Sequence, residues 1–292
     1  MSDSDAQSLV VAGRELRVSS LDKVIYPETG TTKLAVLEHY IAVADAILPH
    51  LQGRPVTRVR WPRGVTAASF FEKNLPSGAP EWLTSVTITG RGYGSRSDRG
   101  QVTYPFITDL ADLIYLANLG SLELHVPQWK VAPDGTPARP DRLVIDLDPG
   151  PGAGLTECAQ VALLVRDHVN GSGLQLQPVT SGSKGMQLYA ELEAGREAHE
   201  VSDVAKALAQ HLSKSHPGLV VWRMTKNLRA GKVFIDWSQN AAAKTTICPW
   251  SLRGRDLPHV ATPRRWEEIE AGAHNGGALT QVSIDQVRAY LL

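Results

Sequence analysis

The chain has 292 residues, of which 42% are hydrophobic and 21% are charged, and this composition is typical of a globular protein rather than of a disordered or fibrous one. Its 30 basic and 30 acidic residues balance, so net charge points to no particular partner. No apolar run approaches the roughly 20 residues that a membrane-spanning helix needs, and we expect no membrane partner.

The cellular compartment is indicated by the cysteines and by the N-terminus. Cys158 and Cys248 have neither metal-binding nor redox spacing. Residues 1–7 are polar and acidic and do not resemble a secretory signal. We therefore expect a cytoplasmic protein whose thiols are reduced and structural.

The N-terminal region is predicted to consist of a flexible tail over 1–15, followed by a single folded domain over 16–292. Apolar residues recur at helical spacing from Lys33 to about Leu48, which predicts a helix that Thr31 or Thr32 would cap and that Pro49 would follow. Lys33 would lie at the positive end of the helix dipole, where a cation is unfavourable unless an anion binds beside it.

Two short strands are predicted at 55–62 and 69–73. In the second, Phe70 and Phe71 interrupt the alternation of apolar and polar residues, so one ring should face away from the core. An exposed ring near the basic residues of these strands suggests stacking on a nucleobase, and ordinary packing is the alternative. The glycine- and arginine-rich segment 90–100 predicts a flexible loop.

The remaining predicted elements mix helices and strands without a regular repeat. Helices are predicted at 108–120, 157–169 and 201–212, with a final helix inside 266–292. Strands are predicted at 122–126, 175–180, 186–192, 219–225 and 232–237. This order predicts an α/β or α+β fold with mixed sheets.

The most informative stretch is 142–150, in which apolar residues run into two acids and then into Pro-Gly. This pattern is typical of a buried strand ending in a turn, and strand alternation puts Asp146 and Asp148 on one face with Val144. Adjacent carboxylates repel each other, and Mg²⁺ or Mn²⁺ would relieve the repulsion. A solvated pair of acids is the alternative for so short a motif.

A third acid, Asp236, ends another apolar strand at 232–237. Three carboxylates on neighbouring strands could hold two cations for in-line phosphoryl displacement. Taken alone, Asp236 could equally be a capping or surface acid. Between residues 221 and 255 there are seven bases and one acid, which suggests an anionic ligand.

Several polar residues elsewhere could bind such an anion. The loop 181–185 (SGSKG) combines glycines, which let backbone N–H groups approach an anion, with the donors Ser181, Ser183 and Lys184. A plain hairpin turn is the alternative there. Arg229 and Arg253 could clamp phosphates or be solvated. His125 lies in an apolar strand, where a histidine is usually an ordinary core or edge residue.

The order of these blocks along the chain makes a family resemblance specific. The blocks are 22–27 (DKVIYP), 30–33 (GTTK), 53–57 (GRPVT), 70–73 (FFEK), 123–129 (ELHVPQW), 146–150 (DLDPG), 180–185 (TSGSKG), 228–240 (LRAGKVFIDWSQN) and 251–255 (SLRGR). Over roughly 16–291, the sequence closely resembles the polymerase domain of bacterial ATP-dependent DNA ligase D, of the archaeo-eukaryotic primase superfamily.

The resemblance implies a primase-polymerase fold, with two facing mixed or antiparallel sheets, flanking helices and an active-site cleft. It implies a DNA-directed nucleotidyltransferase that adds NTPs, ribonucleotides accepted or preferred, at double-strand breaks during non-homologous end joining. Two divalent ions, commonly Mn²⁺, would be bound by Asp146, Asp148 and Asp236. The incoming nucleotide would be contacted by His125, Ser181, Ser183, Lys184 and Arg253.

The resemblance also implies a DNA-binding surface. Lys23 and Lys33 would bind the 5′-phosphate of the downstream strand, and Phe70 and Phe71 would stack on template or duplex. Arg229 would lie in a mobile loop near the active site. The same surface is expected to include Arg60 and Lys73. Implied partners are DNA ends and 5′-phosphorylated gapped DNA, NTP or dNTP, Ku and a DNA ligase, in a nucleoid-associated setting.

The sequence departs from its apparent family in three places. Gln187 stands where many members have histidine, Ser20 where close relatives often have asparagine, and the segment 90–100 is longer than in close relatives. Other functions stay open. They are a stand-alone primase-polymerase for gap filling in excision repair, a non-catalytic DNA-end-binding module, and a metal-dependent phosphatase, which would give no role to Lys23 and Lys33.

Overall fold

The computed structural model describes residues 6–89, 100–193 and 195–291. These residues form the helices α1 (Lys33–Ala42), α2 (Ala44–Leu51), α3 (Leu110–Asn118), α4 (Leu155–Val169), α5 (Ala198–Ser215) and α6 (Trp266–His274). They form the strands β1 (Gln7–Val11), β2 (Arg14–Val18), β3 (Val24–Tyr26), β4 (Thr31–Thr32), β5 (Thr57–Arg60), β6 (Phe70–Glu72), β7 (Ser85–Thr89), β8 (Gln101–Pro105), β9 (Ser121–Val126), β10 (Trp129–Val131), β11 (Pro137–Pro140), β12 (Arg142–Pro149), β13 (Gln177–Thr180), β14 (Met186–Glu191), β15 (Val220–Val221), β16 (Val233–Asp236), β17 (Thr246–Ile247), β18 (His259–Val260), β19 (Thr262–Pro263) and β20 (Val282–Ser283).

Two larger sheets organise the described residues. One is six-stranded, in the order β15-β16-β12-β14-β13-β19, and the other is four-stranded, in the order β17-β9-β5-β6. Strand pairs are antiparallel in both sheets except for β15 with β16, which is parallel. The prediction of mixed and antiparallel sheets flanked by helices is confirmed.

The central strand β12 has a different environment on each face, as its alternation predicts. Leu143, Ile145 and Leu147 are buried in a core with residues of α4 and α5. On the other face, Val144 packs in a small cluster that includes Ile247 of β17. Because β17 belongs to the four-stranded sheet, this cluster joins the two sheets directly beneath the acidic end of β12.

The single helix predicted from Lys33 to about Leu48 is wrong, because the chain bends by 75° between α1 and α2. At the break, the N–H groups of residues 46 and 47 both donate to the carbonyl of Val43, which starts the second helix. The bend lets Tyr40 and Ile47 bury completely in one core. Pro49 lies inside α2 rather than after it. Within the described residues, only this bent pair taken together has the length and apolarity to cross a bilayer, and no single helix does.

The predicted tail over 1–15 is wrong for residues 7–15. They lie in an antiparallel hairpin of β1 and β2, which buries Val11, Leu16 and Val18. Its two turn residues, Ala12 and Gly13, both have positive φ, at 47° and 77°, the geometry that matches the twist of paired strands. Residues 1–5 lie outside the described residues.

The remaining predictions concern single segments and the two cysteines. The predicted strand 219–225 is reduced to β15. The region 266–292 contains the helix α6 at its start, and the segment after its Gly- and Asn-rich loop has only a short 3-10 turn (Val287–Tyr290) in place of a final α-helix. Cys158 and Cys248 are unpaired and buried, as expected of structural thiols, and burial raises the pKa of Cys248 to about 12. The predicted loop at 90–100 lies outside the described residues, apart from Gly100.

Candidate active site

The three predicted acids meet at the end of two neighbouring strands. β12 pairs antiparallel with β16 in a register that places Asp146 opposite Asp236. Asp146, Asp148 and Asp236 each offer a carboxylate oxygen, and these oxygens all lie within 4.8 Å of one another. The prediction that these carboxylates share a site is therefore confirmed in its geometry.

Nearby bases compensate the charges of the acids only in part. Burial, followed by the charges of Asp148 and Asp236, raises the pKa of Asp146 well above its ordinary value. Burial and the charge of Asp236 likewise raise the pKa of Asp148, although Arg229 and Arg253 oppose the shift. Among the described residues, no lysine or arginine forms an ion pair with these carboxylates. Such a cluster of hard oxygen ligands suits a divalent cation.

Asp236 also has the capping role that was its alternative interpretation. Its Oδ1 accepts hydrogen bonds from the backbone N–H of Ser238 at 3.2 Å and from the Ser238 hydroxyl at 2.6 Å. Its Oδ2 accepts from Gln239 Nε2 at 2.9 Å. These bonds fix the carboxylate as the cap of a 3-10 turn (Trp237–Asn240), so capping and membership of the acidic cluster are compatible.

Asn240, which the sequence analysis did not single out, fastens this turn to the acidic strand. Its side-chain oxygen accepts from the Val144 N–H at 2.9 Å, and its Nδ2 donates to the Val144 carbonyl at 2.8 Å. At Val144, two residues before Asp146, the Asn240 side chain thereby makes the two hydrogen bonds that a neighbouring strand would otherwise make with the backbone. Asn240 is 1% exposed, so this pairing is shielded from water.

Gln187 lies opposite Asp146 on β14. Its Oε1 accepts a hydrogen bond from the Tyr189 hydroxyl at 2.8 Å, and as a donor its side chain opposes the rise in the pKa of Asp146. The Tyr189 hydroxyl also donates to the carbonyl of Ile247 at 2.9 Å. Gln187 therefore has a fixed orientation and contributes a neutral donor to Asp146.

A cleft of about 860 Å³ opens beside the acids. It brings together all five residues expected to contact the nucleotide, and Arg229 with them. Its lining includes His125, Asp146, Asp148, Ser181, Ser183, Lys184, Arg229 and Arg253. It also includes residues that the sequence analysis did not propose for the site, among them Gln239, Thr245, Thr246, Arg255, Asp256 and His259. Since the phosphates of a nucleotide are anionic, the mixture of hydroxyls and bases suits that ligand.

The loop 181–185 forms one wall of the cleft. Its glycines are needed because neighbouring residues pack too closely on them for a side chain. A Cβ at Gly182, whose φ is +68°, would lie 2.6 Å from Arg253 Cγ, and one at Gly185 would overlap the Leu147 carbonyl. The N–H groups of Gly182 and Ser183 already donate to Gln281 Oε1 and Ser181 Oγ. The expectation that backbone N–H groups of this loop bind an anion is therefore wrong for Gly182 and Ser183. An anion at this loop would depend on its side chains.

Glu123 lies beneath the predicted nucleotide contacts and was not predicted. His125 Nε2 lies 2.8 Å from Glu123 Oε2, and Arg253 Nε forms a 3.4 Å ion pair with Glu123 Oε1. The N–H of Gly254 donates to the same Oε1 at 3.0 Å. The available signal was the spacing of two on β9, which puts Glu123 and His125 on one strand face.

The segment that carries Arg253 is fastened to the first helix and to β3. The Tyr26 hydroxyl donates to the Arg253 carbonyl at 2.8 Å. His39 Nε2 lies 3.0 Å from the Trp250 carbonyl, to which it donates. The Leu252 N–H donates to the Tyr40 hydroxyl at 3.3 Å. Tyr26, Tyr40, Trp250 and Leu252 are buried in one hydrophobic core.

Lys23 and Lys33 lie outside the cleft, on that same part of the fold. Their ammonium groups donate to the carbonyls of Pro62 and Ser19 respectively. Burial, and then the charge of Lys23, lowers the pKa of Lys33 from 10.5 to about 8. An anion beside Lys33 would oppose this lowering of its pKa, and no acid contributes to that balance.

The helix N-terminus itself contributes less to this anion site than the sequence suggested. The N–H groups of Lys33 and Leu34 donate to the carbonyls of Lys23 and Leu21, and the N–H of Ala35 donates to the capping Thr32. The expectation that these helix N–H groups bind the anion is therefore wrong, and a phosphate would depend on the two lysine side chains.

The predicted aromatic pair is more exposed than expected. Phe70 and Phe71 lie on the edge strand β6 and are 47% and 63% exposed. Arg60 donates to Glu72 through Nη1 at 2.8 Å and to the carbonyl of Leu119, so its charge is already paired. Lys73 is half-buried next to the strand. The two rings are therefore the most available DNA contacts of this group.

Arg229 lies beside the C-terminal end of the acidic strand β12, where it lines the cleft. Its guanidinium carbon stands 3.7 Å from the centre of the Phe234 ring, and its Nη2 donates to the Met224 carbonyl at 2.9 Å. A Cβ at Gly150 would overlap the Arg229 carbonyl, so the glycine after the acidic strand permits this close approach.

Comparisons with known proteins agree with the geometry. The family model described as LigD, primase-polymerase domain, matches residues 32–290. The multifunctional non-homologous end joining protein LigD of Mycolicibacterium smegmatis is 48% identical over 254 residues, which are 87% of this chain and 32% of that protein. The multifunctional non-homologous end joining DNA repair protein LigD of Mycobacterium tuberculosis is 46% identical over 279 residues, 94% of this chain and 35% of that protein. The chain thus spans about a third of the length of these two relatives.

A solved structure extends the match to three dimensions. The polymerase domain from Mycobacterium tuberculosis Ligase D, determined in complex with DNA, superposes with a TM-score of 0.86 at 46% identity. The match covers 94% of this chain and 93% of that one. With the acidic cluster, the adjoining cleft and the family model all in agreement, the chain belongs to the family of LigD primase-polymerase domains.

Proposed function

We propose that this chain is a DNA-repair polymerase that adds nucleotides to 3′ ends at double-strand breaks and short gaps in bacterial non-homologous end joining. The observation that carries the proposal is the cluster of Asp146, Asp148 and Asp236 at a cleft lined with hydroxyls and bases. An acidic cluster whose charge is compensated only in part would repel DNA in a protein that only bound ends, so this feature favours catalysis over the non-catalytic alternative.

The three carboxylates are the residues that would hold the metal, as two Mn²⁺ or Mg²⁺ ions. Their mutual repulsion and the absence of an ion-pair partner among the described residues fit this role. When bound, such ions polarise the reacting phosphate and lower the pKa of the attacking hydroxyl. The chain's own contribution is to fix the ligands, through the bonds to Asp236 and the clamp of Asn240 on β12.

The nucleotide would be bound by His125, Ser181, Ser183, Lys184 and Arg253. The hydroxyls donate to phosphate oxygens, and Arg253 adds a planar cation suited to phosphate geometry. Arg229, which stacks on Phe234 beside the acids, would bind at the same face. These roles account for a basic cleft next to an acidic cluster.

DNA would be bound outside the cleft. Lys23 and Lys33 would hold the 5′-phosphate of the downstream strand, and Phe70 and Phe71 would stack on template or duplex, with Arg60 and Lys73 nearby. Binding to DNA is supported by the solved relative, which was determined in complex with DNA. We propose 5′-phosphorylated gapped DNA and DNA ends as substrates, and Ku and a DNA ligase as protein partners, since the relatives are named as end-joining proteins. Gap filling in excision repair would use the same chemistry.

The experiment that tests this function is primer extension on three DNAs. They are a gap with a downstream 5′-phosphate, the same gap without the phosphate, and a primed template with no downstream strand. We expect template-directed addition with Mn²⁺ on all three, fastest on the phosphorylated gap. A protein that binds these DNAs but adds no nucleotide to any of them would be an end-binding module instead.

The sugar preference is a separate prediction, which rests on the family resemblance. With Mn²⁺ and the phosphorylated gap, we expect rNTPs to be incorporated at least as efficiently as dNTPs, as judged by kcat/KM for matched bases. Single-turnover reactions with ATP and dATP opposite template thymine give the comparison. Strong selection for dATP under the same conditions would contradict it.

A further prediction concerns the exposed ring of Phe71. Because the ring is 63% exposed, Phe71→Ala should change the free energy of unfolding by less than about 0.5 kcal/mol. Loss of base stacking should weaken binding to DNA with a single-stranded template segment by roughly 1–3 kcal/mol. Anisotropy titration measures the affinity. Phe71→Leu, which keeps an apolar side chain but has no ring, should bind as weakly as the alanine variant, and wild-type affinity in Phe71→Leu would rule out stacking.

A further inference from the structure

The unassigned feature nearest to the proposed nucleotide site is the carboxylate of Glu123. It is 6% exposed and lies below the cleft, on the strand that carries His125. Burial would raise its pKa, but the hydrogen bond with His125 and the charges of Arg253 and His125 prevail and lower the pKa of Glu123 to about 2. A permanent negative charge therefore lies beneath a site that we assign to a polyanion.

A negative charge in that position weakens phosphate binding by simple electrostatics. Some compensating effect is then needed to explain why the carboxylate is there. Its contacts suggest one, because each of its oxygens holds a different residue of the proposed nucleotide site. Oε2 pairs with His125 Nε2 at 2.8 Å. Oε1 accepts from the Gly254 N–H and forms an ion pair with Arg253 Nε at 3.4 Å, which is not a hydrogen bond.

The contact with Arg253 leaves the far end of that side chain available. Glu123 approaches Nε, and the terminal guanidinium nitrogens make no hydrogen bond to any other described residue, while Arg253 lines the cleft. The backbone is fixed as well, since the Arg253 N–H donates to the His259 carbonyl at 2.9 Å. A Cβ at Gly254 would overlap the ring of Trp61, the residue after β5, so only glycine permits the chain to pack this closely on that ring.

We propose that Glu123 is a positioning residue, which holds His125 and Arg253 at one spacing and orientation to receive the phosphates of the incoming nucleotide. The proposal rests on the proposed polymerase function, and it adds a residue that does not touch the nucleotide itself. Two side chains that would otherwise move independently are kept side by side before the nucleotide binds, so less ordering is required when it arrives.

Positioning and electrostatics predict opposite effects for the isosteric variant Glu123→Gln. If the carboxylate only repels phosphate, the variant should bind nucleotide more tightly than wild type. If it positions His125 and Arg253, KM for the nucleotide should rise by about tenfold, because the neutral amide loses the ion pair with Arg253 and offers only one acceptor oxygen. We expect kcat to change by less than threefold, since the acidic cluster is untouched.

Glu123→Asp separates position from charge and guards against a folding defect in the first variant. It keeps the negative charge but shortens the side chain by one methylene, so the carboxylate cannot keep its three contacts. We expect KM to rise as in Glu123→Gln. A KM equal to that of wild type would show that charge alone matters and would overturn the proposal.

The control is Glu268→Gln, a carboxylate that accepts from Arg264 Nη2 at 2.6 Å and is not part of the cleft. This variant should lower the melting temperature without raising KM. Steady-state extension of the phosphorylated gap gives KM and kcat, and anisotropy of a fluorescent ATP analogue with Mn²⁺ and no DNA gives binding without turnover. Equal increases of KM in Glu268→Gln and Glu123→Gln would indicate a general stability effect and overturn the proposal.

A double-mutant cycle completes the test. If Glu123 acts through Arg253, Glu123→Gln should raise KM much less in an Arg253→Lys background than in wild type, because the ammonium has no Nε edge to hold. Fully additive effects would place the role of Glu123 elsewhere. An inactive wild-type protein would refute the polymerase function instead, so the two failures are distinguishable.

Discussion

Asp148→Ala is expected to abolish nucleotide addition, by at least about a thousand-fold in rate, or on the order of 4 kcal/mol of transition-state stabilisation. The reason is that Asp148 supplies one of the three carboxylates that lie within 4.8 Å of one another. Single-turnover extension of the phosphorylated gap with Mn²⁺ measures the loss. Binding of DNA, measured by anisotropy without divalent ions, should be unchanged or tighter, since a negative charge is removed.

The same variant should be at least as stable as wild type when divalent ions are chelated. Burial and the charge of Asp236 raise the pKa of Asp148, so the ionised carboxylate destabilises the folded protein once the pH exceeds the pKa of the unfolded chain. Mn²⁺ should raise the melting temperature of wild type more than that of the variant. Asp167→Ala, at a side chain that is 71% exposed on α4, is the control and should retain activity. Persistent nucleotide addition by Asp148→Ala would remove Asp148 from the catalytic site.

The combined variant Lys23→Ala and Lys33→Ala is expected to remove most of the binding preference for a 5′-phosphorylated gap over an unphosphorylated one. A terminal phosphate carries more charge than an internal phosphodiester, and these two ammonium groups would be its cations. Each lost contact should also lower the salt dependence of binding by about one unit of slope. Anisotropy titrations of both DNAs at several salt concentrations measure the two effects.

A matched control removes the same charge from other elements. Lys130→Ala with Lys206→Ala takes away one lysine on β10 and one on α5, and it should preserve the phosphate preference. If the two double variants behave alike, the lysines contribute only a general electrostatic background, and the end-binding site lies elsewhere.

The pH dependence of this preference follows from Lys33. Burial, then Lys23, lowers its pKa to about 8, so the free protein loses this charge as the pH rises through 8. Phosphate favours the charged form, so binding must take up a proton above that pH, and affinity for the phosphorylated gap should fall between pH 7 and 9. Lys33→Arg should flatten the dependence, because a guanidinium stays charged. A preference that does not change with pH in wild type would contradict the role of Lys33.

The acidic cluster could be predicted from the sequence because its signal is local. Strand alternation alone fixes the faces of Asp146 and Asp148, and Leu147 between them is buried as expected. For Phe70 and Phe71 the same rule predicted one exposed ring, whereas both are exposed because β6 is an edge strand. A period of two within one strand therefore fixes the face of each side chain, and the place of the strand in the sheet decides whether both faces are covered.

Other features depend on partners that are far away in the chain. Asn240 clamps Val144 across 96 residues, and Glu123 reaches Gly254 across 131, so no local pattern reveals either role. The bend between α1 and α2 keeps helical periodicity on both sides of Val43, which is why one continuous helix was predicted. The β1–β2 hairpin was missed because most of β1 is exposed, and its turn is Ala-Gly rather than a stronger turn signal.

The hydrogen bonds from Tyr26, His39 and Tyr40 to the segment 250–253 have a consequence for substrate length. Lys23 and Lys33 belong to the same packed unit as these residues, and Arg253 is attached to it through its own backbone. On the proposed function, the downstream 5′-phosphate and the incoming nucleotide are then held at one fixed separation. A gap of matching length places its 5′-phosphate and its next templated position in both sites at once. In a longer gap, either the extra template nucleotides must loop out or one of the two sites stays empty. The protein would therefore select gaps by length through the fixed distance between these two sites, without a conformational change.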